Sequence, residues 1–195
     1  MRTPPAYRVR PARTDDAGFL ADVVLSATRA QGRLPDDLDE AEWRAGFAEW
    51  TSEQIGADIP GSTTSVIESD GGRAGRLRVA RGDGRIELCG IQLLPRVQSR
   101  GLGTAIIEQL KAEAAAAGVP LDLGVEKDNP DARRFYDRLG FVLVGEDEEE
   151  HKLRWSPEPG ARSAASRPGR PRSRADAGRS RSARARLPAP GPRRG

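Results

Sequence analysis

One stretch of the chain combines residue types and spacing that can bind an anion. Ile86-Glu87-Leu88-Cys89-Gly90-Ile91-Gln92-Leu93-Leu94-Pro95 is an apolar run ended by proline. It is followed by the polar loop Arg96-Val97-Gln98-Ser99-Arg100-Gly101-Leu102-Gly103-Thr104 and by the amphipathic opening Ala105-Ile106-Ile107. A strand, a glycine loop and a helix N-terminus in that order present first-turn N–H groups that have no intrahelical partner, and the helix dipole adds to their pull on negative charge. Gly101 and Gly103 let the backbone approach a phosphate closely. This stretch can bind phosphate through the N–H groups of Ser99, Arg100, Gly101, Leu102, Gly103 and Thr104, with Gln98 and Arg100 adding side-chain contacts; the alternative is a plain glycine turn with Arg100 as a solvated surface charge. Neither nucleotide fingerprint is met. There is no Gly-x-x-x-x-Gly-Lys-Ser/Thr, and no Gly-x-Gly-x-x-Gly opens an N-terminal βαβ unit.

Other groups with acid–base or nucleophilic chemistry are few. The chain has one cysteine, Cys89, and one histidine, His151. That pair supports neither a zinc site nor a Cys–His nucleophile. Cys89 reads as a small buried apolar side chain, and His151 as a surface residue after an acidic run. Glu87 and Glu126 are candidate bases, and each also reads as a solvated or paired strand residue. Asn129 and Tyr136 stand seven residues apart, two helical turns along one face. Phe135, adjacent to Tyr136, points elsewhere.

The elements that position these groups follow from periodicity. Tyr7 to Arg10 alternates as a short strand. Thr14-Asp15-Asp16 opens a helix carrying Phe19, Leu20, Val23, Val24 and Ala27, which ends near Gln31-Gly32. A second helix starts at about Asp39 with Trp43, Phe47 and Trp50 at helical spacing. These aromatics read as core or cleft wall, with a substrate-gate role as the alternative. Thr63–Ser69, the turn Asp70-Gly71-Gly72 and Ala74–Arg81 form a hairpin leading into the strand at 85–94, an antiparallel meander. Leu102, Ile106, Leu110 and Ala114 mark one stripe of the helix after the glycine loop, and Gly118-Val119-Pro120 stops it. Leu121–Glu126 is a strand. Asn129 caps a short helix with Pro130 at its first position, and Gly140 ends it. Two strands, Phe141–Val144 and His151–Trp155, close the pattern around the acidic turn Glu146–Glu150. The order is β-α-α-β-β-β-α-β-α-β-β. The helix crossover makes strands 85–94 and 121–126 parallel neighbours in a mixed sheet with helices on both faces.

Charge divides the chain in two. Residues 156–195 hold 11 Arg against Glu158 and Asp176, a local +9, so residues 1–155 carry −6 and the whole +3. The tail is Arg, Pro, Ser, Ala and Gly with Leu187 as its one larger aliphatic residue, a composition that cannot bury a core and predicts disorder. The sequence therefore implies a folded domain over residues 1–155 and a disordered basic tail over 156–195. Eleven arginines interleaved with serine could engage phosphates nonspecifically, so nucleic-acid or acidic-partner binding through the tail is a second functional reading. No apolar run reaches membrane-spanning length and no signal core is present, which with the single cysteine reads as a cytoplasmic protein.

Two blocks carry a family resemblance. Gln98-Ser99-Arg100-Gly101-Leu102-Gly103 follows a strand ending in proline and matches Gln/Arg-x-x-Gly-x-Gly/Ala. Asn129-Pro130-Asp131-Ala132-Arg133-Arg134-Phe135-Tyr136 with Leu139-Gly140-Phe141 matches the second. Over about residues 6–155 the chain resembles the GNAT superfamily of acetyl-CoA-dependent N-acetyltransferases. The resemblance implies an α/β fold of the α+β type around a mixed sheet, and acetyl-CoA as acyl donor with no metal. It also implies direct transfer to an amine of a small molecule or protein. It further implies that strand 85–94 bulges near its end and splays from strand 121–126, with the pantetheine arm between them. The Leu93 N–H would then polarise the thioester carbonyl, Asn129 would contact the cofactor arm, and Tyr136 would protonate the departing thiolate. A non-catalytic acyl-CoA-binding domain is the third reading.

Overall fold

The computed structural model describes residues 6–158 except residue 83. The expectation of a disordered tail over 156–195 therefore falls, beyond its first three residues, outside the described residues, as does any partner of that tail.

The elements are β1 (Tyr7–Pro11), α1 (Ala17–Ala30), α2 (Glu40–Gly56), β2 (Ser62–Ser69), β3 (Gly72–Gly82), β4 (Arg85–Leu93), α3 (Leu102–Ala117), β5 (Leu121–Glu126), α4 (Pro130–Arg138), β6 (Val142–Glu146) and β7 (Glu150–Trp155). This is the order the sequence implies. The strands form one mixed sheet in the order β1-β2-β3-β4-β5-β7-β6, in which β4 and β5 are parallel and every other pair is antiparallel. The insertion of β7 between β5 and β6 carries no local sequence signal.

Strand alternation sorts the core onto two faces. Ile67, Leu77, Val79, Ile86 and Leu88 pack against Leu102, Ile106, Ile107 and Leu110 of α3. The neighbouring Val66 packs instead with Ala12 and Leu20 on the α1 side. Helices thus cover both faces, each burying a stripe at helical spacing. The β2–β3 turn places Asp70 at φ 53° and Gly71 at φ 76°, the two positive values of a two-residue hairpin turn.

The start of α1 differs from the sequence reading. A 3-10 turn, Thr14–Asp16, precedes the helix. Asp16 there accepts from the Arg13 N–H at 2.9 Å and from two Arg10 guanidinium nitrogens at 2.7 and 3.0 Å. Arg10 also bonds Glu68 at 2.7 Å, so this network ties β1, β2 and the entry to α1 together. Its hydrogen bonds from Arg10, outweighing burial, hold the Asp16 carboxyl down at about 2. At the far edge, β6 leaves Val142, Leu143 and Val144 exposed. No described helix is long and apolar enough to cross a membrane.

Candidate active site

The ladder between β4 and β5 is short. Ile86, Glu87 and Leu88 pair with Leu121, Asp122 and Leu123, and the pairing stops there. On its other side β4 stays paired with β3 as far as Leu93, with a bulge opposite Arg78 and Val79 that makes Cys89 the extra residue. A bulge bends its strand and increases local twist, so β4 turns away from β5 beyond Leu88. The implied splay is present, with its bulge in mid-strand.

The gap opens into a cavity of about 640 Å³ whose walls include Leu88–Gln92, Leu123–Asn129, Ala132, Tyr136, the end of α1 and Glu148–Glu150. The Leu94 N–H donates to the Ala74 carbonyl at 2.9 Å. Antiparallel ladders alternate, so the polar groups of Leu93 face the opposite way, toward β5. The Leu93 carbonyl there accepts from Gln98 Nε2 at 2.7 Å; Leu93 and residues 98–104 are not among the residues lining the cavity.

The glycine loop adjoins this point. Ser99 at φ 58° and Gly101 at φ 83° turn the chain into α3, which has no side-chain cap. The N–H groups of Leu102, Gly103 and Thr104 are thus uncapped at the end of a 16-residue helix. Consecutive left-handed and right-handed residues form the backbone concavity that binds anions. Leu102 itself is a core residue. At Gly103 a Cβ would touch Phe135 at 3.6 Å and Leu93 at 3.7 Å, so a larger side chain would crowd the loop against the strand end. Arg100 is paired with Asp70 at 2.7 Å, reaching back to the β2–β3 turn.

Asn129 and Tyr136 both line the cavity. Asn129 Oδ1 accepts from the Ala132 N–H at 3.1 Å, so its oxygen caps α4 and only its NH2 group remains for other work. Tyr136 is 8% exposed and lies edge-on to Phe135 and Phe141, at centroid distances of 5.1 and 5.5 Å. The adjacent rings of Phe135 and Tyr136 therefore touch. Burial pushes the Tyr136 pKa well above its ordinary value of 10, which keeps the phenol protonated.

The candidate bases separate. Glu126 lines the cavity but is engaged by Arg33, which also binds Asp128 at 2.6 Å. Glu87 and His151 are not among the residues lining the cavity, and His151 Nδ1 lies 3.2 Å from Glu146. Cys89 is half-buried and faces the cavity instead of being enclosed, because the bulge turns it out of the regular pleat. The α2 aromatics are not cavity wall. Trp43 and Phe47 stack at 4.8 Å, while Phe47 and Trp50 lie over the guanidinium groups of Arg76 and Arg78 at 5.6 and 5.4 Å. Among the described residues no cluster of His, Cys, Asp or Glu could hold a metal ion. Sequence reasoning passed over Gly90, Gln92 and Arg33. A glycine inside a strand, which marks close approach, was the one available signal.

The model of the Acetyltransferase (GNAT) family matches residues 28–141, and the chain belongs to that family. An uncharacterized N-acetyltransferase of Mycobacterium tuberculosis is 33% identical over 103 residues, 52% of this chain and 62% of that protein. The chain thus spans about six-tenths of the length of such relatives. The mycothiol acetyltransferase of Clavibacter michiganensis is 30% identical over 138 residues, 70% of this chain and 44% of that protein. The fold is shared with the PaiA N-acetyltransferase of Thermoplasma acidophilum, solved with coenzyme A. The TM-score is 0.65 at 15% identity, covering 77% of this chain and 99% of that one. An acetyltransferase of Thermus thermophilus aligns with a TM-score of 0.64 at 19% identity, over 80% and 99% of the two chains.

Proposed function

We propose that the protein is an acetyl-CoA-dependent N-acetyltransferase, its activity carried by residues 1–155, that acts by direct attack of an amine on the thioester. The observation that carries this reading is the splayed β4–β5 gap, lined by Asn129 and Tyr136, with the backbone polar groups of Leu93 turned to the β5 side of the strand.

The pyrophosphate of the donor fits the uncapped N–H groups of Leu102, Gly103 and Thr104, reached through Ser99 and Gly101, with Gln98 fastening the loop to the strand end. Arg100 contributes charge at the edge of the loop while bound to Asp70. The pantetheine arm enters the gap as an added strand partner, and the NH2 group of Asn129 faces it. The amine nitrogen attacks the carbonyl carbon, and the Leu93 N–H stabilises the negative charge that grows on the carbonyl oxygen. As the carbon–sulfur bond breaks, Tyr136 gives its proton to sulfur, and the proton lost by the amine balances the exchange. The products are the acetamide and free CoA thiol. Burial keeps the phenol protonated until the thiolate forms, and the proton released by the amine restores Tyr136, so the net movement is one proton from nitrogen to sulfur. Among the cavity-lining residues, Glu126, Asp128, Glu148, Glu149 and Glu150 outnumber Arg33 and Lys127, which favours a cationic acceptor.

The test is CoA release from acetyl-CoA across a panel of amines. Tyr136→Phe should lower kcat about 100-fold and leave the KM for acetyl-CoA unchanged. CoA release unaffected by that substitution would remove Tyr136 from the chemistry.

A further inference from the structure

On the α1 and α2 face of β4 lies a polar pair that the proposed acetyl-donor binding does not use. Arg76, on β3, is fully buried. Its Nη1 donates to Gln92 Oε1 at 3.0 Å, while Nε and Nη2 have no hydrogen-bond partner among the described residues. Among the described residues it forms no ion pair with a carboxylate; burial and the nearby Arg78 charge lower its pKa to about 10, so it remains a cation at neutral pH. A buried, unneutralised guanidinium is costly and calls for a reason.

Gln92 supplies the link to the cavity. A guanidinium only donates, so the amide atom facing Arg76 is the oxygen, and Nε2 is left as donor. Gln92 lines the cavity, one residue before Leu93 and on the sheet face of α1 and α2, the face opposite the α3 core. Gly90 makes room for the pair. A Cβ there would stand 3.1 Å from Arg76 Nη1 and 3.4 Å from Gln92 Nε2. Donation from a cation to Oε1 polarises the amide and strengthens its NH2 as a donor. Such a donor is matched to an oxygen that carries negative or partial negative charge.

We propose that Gln92 is a specificity-determining residue and Arg76 the positioning residue behind it, together selecting acceptors in which the carbon bearing the amino group also bears a carboxylate or a carboxamide. Amino acids and amino-acid amides are then preferred over plain alkylamines. The inference rests on the acetyl-transfer reading for the position of the acceptor.

The test uses the full chain loaded with CoA and two sets of probes: phenylalanine, phenylalaninamide and phenethylamine; lysine, lysinamide and cadaverine. Titration calorimetry should give at least tenfold tighter binding of the acid or the amide than of the alkylamine in one set. Preference for the acid points to a free amino acid, and preference for the amide to a peptide-like acceptor. Gln92→Leu should reduce the ratio below threefold with CoA affinity unchanged. Arg76→Met should do the same with an unchanged or higher Tm, because it removes a buried unpaired charge, and Arg76→Lys should restore part of the preference. An arginine with a merely structural role would lose stability and leave the ratio intact. Equal or absent binding within both sets, or an unchanged ratio in Gln92→Leu, overturns the inference. Turnover without preference overturns this inference alone, whereas preference without CoA release from acetyl-CoA overturns the transfer reading alone.

Discussion

The two faces of β4 present polar groups by different means. On the α3 side the donors are backbone N–H groups, set by Ser99 and Gly101 at positive φ and left open at a helix end. On the α1 and α2 side they are side chains, with a buried cation fixing an amide above a glycine. A backbone site needs glycine and a helix, and tolerates change in most side chains. A side-chain site depends on every member of the set. The first arrangement suits a donor common to many reactions, and the second suits a choice among acceptors.

Substitutions at four positions sharpen or break that contrast. The largest effect is expected from Gly101→Val. A β-branched residue at φ 83° is strained by roughly 1–2 kcal/mol, and its methyl groups crowd the N–H concavity. The KM for acetyl-CoA should rise about 100-fold, close to 2.7 kcal/mol, with the ranking of acceptors unchanged. A changed ranking would mean that the two sides are not separable. Asp16→Asn lies away from both sides and should cost about 2 kcal/mol of stability, leaving both KM values as they are. Because folding lowers the Asp16 pKa from 3.8 to about 2, its contribution is full above about 4 and is lost as pH falls toward 2. Acid titration of stability should show that loss in the wild type and not in the variant. Gly90→Ala should push Gln92 or Arg76 aside and lower kcat/KM for the acceptor about tenfold, near 1.4 kcal/mol, with acetyl-CoA kinetics within twofold. A shift in acetyl-CoA KM instead would place Gly90 on the donor side. The smallest effect is that of Asn129→Ala, which removes the α4 cap and about 1 kcal/mol of stability. Asn129→Asp keeps the cap, so a rise in acetyl-CoA KM shared by both variants isolates the lost NH2 group.

The same contrast explains what the sequence disclosed. Gly101, Gly103 and the cap-and-proline pair Asn129-Pro130 act locally, through backbone freedom and helix ends, and such signals stand in consecutive residues. The stripes of α1 and α3 were legible for the same reason. Arg76 was not. An arginine in a strand reads as solvent-facing, and the α2 aromatics Phe47 and Trp50 that lie over it and its neighbour Arg78 are far off in sequence. Arg33 with Glu126 and Asp128 is likewise a long-range pairing. The place of β7 between β5 and β6 depends on which sheet edge is open after β5, a property of the whole sheet.

The three-pair junction of β4 and β5 also bears on self-association. Beyond Leu88 the two strands expose backbone groups to the gap, so the sheet has a pair of internal edges as well as its outer ones. Outer edges invite another chain to add a strand, and at β6 the exposed Val142, Leu143 and Val144 make that edge the weaker one. The internal edges are recessed between the end of α1, Asn129 to Tyr136, and the β6–β7 turn. A slender, extended molecule can slide between them, while a folded neighbour is too bulky to do so, which lets the protein keep unpaired strand surface in its interior without templating aggregation there.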